Sequence, residues 1–142
     1  MPPDAAAAVS TNRKRFRRSP GQVAAARRFV AEALPRGSDL QETARLLVSE
    51  TVTSMLDQVA FGLVGTFEVA YTMVDGQLRV EVSDDGGPAR LRRRIHGVRP
   101  KQGRGFLLVQ RLASRWGIRE DVAGRTIWFE LGRERQAIPA PA

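Results

Sequence analysis

Apolar residues keep two different periods along the chain, and the change between them comes near residue 66. Before it the spacing is helical. Ser19-Pro20-Gly21-Gln22 reads as a helix start, with Ser as N-cap, Pro at the first helical position and Gln placed to complete a capping box. Val23, Ala26, Val30 and Leu34 follow at helical spacing, and Pro35 with Gly37 ends the run. Ser38-Asp39-Leu40-Gln41 repeats the start signature and predicts a longer helix to about Phe61, stopped by Gly62. One face of that helix carries Leu40, Ala44, Leu47, Val48, Thr51, Met55 and Val59. The other carries Glu42, Ser49, Glu50, Thr53, Ser54 and Asp57.

From Thr66 the period is two. The runs 67–74 and 77–82 flank Asp75-Gly76, a strong hairpin signal. Regularity stops at Asp84 and resumes only after Gly103-Arg104-Gly105, where Leu107, Leu108, Arg111, Leu112 and Arg115 give a helix two faces as far as Trp116-Gly117. A last hairpin, 117–122 and 125–131 around Ala123-Gly124, closes the pattern. The order α-α-β-β-loop-α-β-β predicts an α+β fold, a two-layer α/β sandwich with a mixed, mostly antiparallel sheet and its helices on one face. Residues 1–18 lack periodicity and read as a disordered basic arm, 19–131 as the domain, and 132–142 as a flexible tail.

Composition narrows the chemistry. The chain has 142 residues, which suits one domain, and no cysteine, which removes disulfides, thiolate zinc sites and thiol nucleophiles. His96 is its one histidine, so a multi-His metal cluster is excluded. No apolar run is long enough to span a bilayer, and the charges near the start follow the apolar stretch, so the expectation is a cytoplasmic protein without membrane attachment. Lys+Arg 23 against Asp+Glu 15 leaves a net charge of +8, gathered in residues 13–18 and 90–104. Neither cluster forms a helical stripe with interleaved aromatics, which argues against nucleic acid. An anionic ligand or an acidic protein partner suits this charge at least as well.

Three local features can carry chemistry. Glu50, Ser54 and Asp57 are spaced to share a helical face, either as oxygen ligands for a hard cation such as Mg²⁺ or as an ordinary solvated face. At the end of a strand, Ser83-Asp84-Asp85-Gly86-Gly87-Pro88 offers a carboxylate and a close backbone approach, although a plain turn uses the same letters. Gly103-Arg104-Gly105 opens a helix whose first N–H groups favour phosphate. Taken in order, with a basic loop between the second and third, they describe a nucleotide site with a lid.

The stretches 47–54, 78–84 and 103–109, with 24–30 and 126–131, resemble the GHKL (Bergerat-fold) ATPases, a histidine-kinase-like ATPase domain. Within these the branch of the bacterial anti-sigma factor serine kinases is the most similar. The resemblance covers about residues 19–131 and implies the Bergerat fold, with the ATP lid at about 85–102. It implies Glu50 as general base. Ser54 stands where the family carries a Mg²⁺-holding Asn, so it is a weak candidate for the metal. The resemblance also implies Asp84 as the acceptor for the adenine amino group, Gly86 as the glycine that follows it, and Gly103, Arg104 and Gly105 at the phosphates. Asp57-Gln58 and Pro88 depart from the family pattern, Pro88 in a way that many members of this branch share.

The function so implied is an ATP-binding regulator of the anti-sigma factor type, with ATP and Mg²⁺ as cofactors. Its implied partners are a sigma factor and/or an anti-sigma antagonist protein, with a homodimer on the same grounds. In the serine/threonine-protein kinase version it phosphorylates Ser or Thr of the antagonist. The alternative, favoured by Ser54 and Asp57, is a catalytically inactive binding module that sequesters a partner, with nucleotide structural or absent.

Overall fold

A computed structural model of the chain describes residues 10–57, 65–84, 105–121 and 124–132. In chain order these form β1 (Ser10–Arg17), α1 (Gly21–Ala31), α2 (Asp39–Asp57), β2 (Thr66–Val74), β3 (Gln77–Asp84), α3 (Gly105–Leu112), β4 (Arg115–Asp121) and β5 (Gly124–Gly132). The five strands make one sheet in the order β1-β2-β3-β5-β4, and every described pairing is antiparallel. This sharpens the expected mixed sheet to an antiparallel one within an α+β fold.

The largest departure from the sequence reading is β1. The arm expected to be disordered over 1–18 forms a strand across 10–17, paired with β2 from Ser10↔Met73 to Arg17↔Thr66. Its pattern explains why. Phe16 sits opposite Phe67 on the inner face of the sheet, while Arg13, Arg15 and Arg17 fall on the other face. The two rings stack with centroids 5.3 Å apart, and Phe29 of α1 meets Phe16 edge-on at 6.0 Å. One apolar side chain in a basic run therefore joins the strand to the core.

The Asp75-Gly76 hairpin forms where expected. Both residues take positive φ, 47° and 80°, which the tight two-residue turn needs and a β-branched residue would resist. Inner-face residues then line up across the sheet: Val69↔Val82↔Ile127 and Tyr71↔Val80↔Phe129, with Leu78↔Leu131 beside them. These residues share one buried cluster with Val30 of α1, Leu47, Val48 and Val52 of α2, and Val109 of α3. All three helices therefore cover the same face.

Helix ends follow the capping expectation unevenly. At α1 the N-cap is Pro20 rather than Ser19, with no side-chain cap bond. At α2 the Ser38 Oγ accepts from the Gln41 backbone N–H at 3.1 Å. Gln41 then reaches back, its Oε1 accepting from Gly37 N–H at 2.8 Å and its Nε2 donating to Ala31 O at 2.9 Å. One buried amide thus ties the end of α1 to the start of α2. The third helix stops at Leu112, earlier than expected. Ser114 donates from both its backbone N–H and its hydroxyl to Glu130 O, at 2.8 and 2.9 Å, and turns the chain straight into β4. Trp116 and Gly117 are consequently strand residues. No described helix is long and apolar enough to cross a membrane.

Candidate functional site

The α2 helix packs against α1 and α3 and touches β3 and β5, so it lies over the middle of the sheet. It carries Glu50, half-buried, and Ser54 one turn further on. Ser54 is buried, and its hydroxyl has no hydrogen-bond partner among the described residues. That is unexpected for a solvated polar face, and it matters because an unsatisfied buried hydroxyl costs on the order of 1–3 kcal/mol. An oxygen from a ligand, or a cation, would satisfy it.

Asp84 is the last residue of β3, and its register places it on the inner face, in line with Leu78, Val80 and Val82. Its carboxylate is buried and accepts from the guanidinium of Arg18, just beyond β1. Arg18 is itself fully withdrawn from solvent, and its backbone N–H donates to Gly65 O at 3.1 Å. Its Nε and Nη1 have no hydrogen-bond partner among the described residues. A buried ion pair forms only when mutual attraction offsets the loss of two hydration shells. Here the arginine keeps unsatisfied donors in addition.

The remaining expected positions divide in two. Gly105 opens α3, whose eight residues pack against α2. Gly86, Gly103, Arg104 and the lid at 85–102 lie outside the described residues, as does the tail beyond Gly132. The structure therefore gathers the carriers of Glu50, Ser54, Asp84 and Gly105 on the helix-covered side of the sheet. It places no described carboxylate cluster that would hold a metal by itself. For Mg²⁺ the donor set fits in part: Ser54 offers a neutral oxygen, and a site of this kind relies on phosphate oxygens for the rest.

Arg18 is the residue that the sequence reading missed. The available signal was the alternation Asn12, Lys14, Phe16, Arg18, which marks an inner face once Phe16 is taken as core. Neither a family model nor a curated protein matches the chain.

Proposed function

We propose that the chain is an ATP-binding regulatory protein of the anti-sigma factor type, built on a Bergerat-like two-layer scaffold. The observation that carries this is the placement of Asp84, a buried carboxylate at the end of a central strand, on the side covered by the helix with Glu50 and Ser54. A carboxylate there accepts from an adenine amino group, and Ser54 supplies an oxygen toward the phosphate end. In the kinase version Glu50 takes the proton of a Ser or Thr hydroxyl on an antagonist protein. Mg²⁺, when bound, supplies charge neutralisation at the phosphates.

Arg18 adds a condition to this reading. Its guanidinium already occupies the carboxylate that adenine requires. Nucleotide entry then means that the base displaces Arg18 or takes a second position on the same carboxylate.

The same pair, with Ser54 in the place of an amide, favours a second reading: a catalytically inactive module that regulates a sigma factor or its antagonist by binding alone. Phosphate incorporation into candidate antagonist proteins separates the two. Transfer by the wild type that is lost in Glu50→Gln supports the kinase, since an amide keeps the size of the side chain but cannot act as base. Partner binding with no transfer to any candidate supports the binding module.

A further inference from the structure

The sheet face away from the helices carries a row that crosses all five strands. Arg15, Glu68, Ser83, Thr126 and Arg119 stand opposite one another, strand by strand. They line a concave site of about 340 Å³ that also reaches Thr66, Phe67, Asp84 and Arg125 at the adjoining strand ends. Two hydroxyls hold its centre, Ser83 Oγ and Thr126 Oγ1, 3.0 Å apart. An arginine stands at each end of the row, with backbones roughly 19 Å apart at ordinary strand spacing.

Charge on this face is uneven. Around the hydroxyl pair, Arg13, Arg15, Arg17 and Arg119 on this face, with Arg125 at the strand end, outnumber the described carboxylates of Glu68, Glu81 and Asp84. Of these, Glu81 is engaged by Arg79 and Asp84 by Arg18. Glu68 is engaged by Arg13 at 2.9 Å and more loosely by Arg15 at 3.9 Å. Arg17 and Arg119 have no carboxylate partner among the described residues, and both are exposed. Toward the other end of the strands the charges balance. There Arg79 pairs with Glu81 and Glu130, and Arg115 approaches Glu130.

We propose that this basic, hydroxyl-centred concavity docks an acidic segment of a partner polypeptide. Carboxylates of such a segment would accept from the one hydroxyl of the Ser83–Thr126 pair that is not donating to the other, and from the flanking guanidiniums. Single-stranded nucleic acid fits less well, because it needs open aromatic faces for its bases. The described aromatic ring of this face, Trp128, is covered by the Arg79 guanidinium 4.1 Å from its centroid. The strand residue beside it, Gly117, lies so close that an added Cβ would meet the indole at 2.6 Å. The row lies on the sheet face opposite the helices, but the concavity also reaches Asp84 at the strand end, the carboxylate proposed to receive adenine. The peptide test is therefore run without nucleotide, so that its outcome reads this surface and not ATP binding.

The test is fluorescence anisotropy with a labelled peptide of alternating Glu and Ser, at low and at physiological salt. A Lys/Ser peptide and oligothymidylate serve as comparators. The Glu/Ser peptide binds the wild type, weakens with salt, and loses about tenfold in affinity when Arg15→Glu and Arg119→Glu are combined. Arg119→Gln alone moves in the same direction by less, which keeps the test readable if the double variant folds poorly. Arg45→Glu, an exposed helix position with the same change of charge, leaves binding unaltered. An equal loss in Arg45→Glu overturns the proposal, as does tighter binding of oligothymidylate or no binding of the peptide at low salt.

Discussion

Arg18 and Asp84 lie 66 residues apart in the chain, yet their side chains meet as a buried ion pair at the end of the sheet. The pair joins the residue that follows the edge strand β1 to the last residue of the central strand β3. It has a consequence for stability that does not depend on any ligand. Asp84→Ala removes a carboxylate from a guanidinium that has no route to solvent, and should destabilise the fold by about 3–5 kcal/mol. Combining it with Arg18→Met removes the stranded charge and should recover most of that loss. Urea denaturation of the two single variants and the double measures both effects. A double variant no more stable than Asp84→Ala would mean that the charge on Arg18 is not what the carboxylate balances.

Phe16 tests whether β1 belongs to the fold. It is 4% exposed and stacked on Phe67, so Phe16→Ala should cost about 3–5 kcal/mol, as for other buried aromatic truncations. A residue in an unstructured arm would cost less than about 0.5 kcal/mol. Thermal or chemical melts decide between them.

Adjacent leucines on α2 provide a check on which face meets the sheet. Leu47 is fully buried, whereas Leu46 is 40% exposed. Leu47→Ala should lower stability by about 2–5 kcal/mol. Leu46→Ala should cost a small fraction of that, because alanine is also the stronger helix former. Comparable losses from the two would mean that the helix is rotated.

Gly117 is a packing glycine, and no turn requires it. A methyl there would come within 2.6–2.8 Å of the Trp128 indole, over whose ring the Arg79 guanidinium already lies 4.1 Å from the centroid. Gly117→Ala should therefore destabilise by about 1–3 kcal/mol through overpacking. It should also shift the tryptophan emission, which fluorescence reads directly.

Much of this architecture is written in short-range pattern. The Asp75-Gly76 turn and the alternation on either side of it define β2 and β3 to within a residue or two. Ser38 and Gln41 mark the start of α2 through hydrogen bonds that form locally. What pattern alone hides is set by distant partners. In β1 the basic residues mask an alternation anchored by one phenylalanine, and its pairing partner lies some fifty residues away. Trp116 reads as the end of a helix because nothing local shows that Ser114 will bond to Glu130 of β5. At the candidate site, Glu50, Ser54 and Asp84 are legible as residue types in order. Arg18 is not, because its role comes from burial against Asp84 and leaves no spacing to recognise.

Calorimetric titration of Mg-ATP into the wild type, Asp84→Asn and Arg18→Met tests the proposed nucleotide site most directly, with circular dichroism confirming that each variant is folded. If Asp84 receives adenine, the wild type binds ATP, and Asp84→Asn weakens it by roughly 1–3 kcal/mol, the scale of a lost hydrogen bond to a charged group. Arg18→Met then tightens binding, because the carboxylate no longer has to be taken from the guanidinium. Absence of ATP binding at millimolar concentration in both the wild type and Arg18→Met would contradict the assignment, as would an affinity unchanged in folded Asp84→Asn.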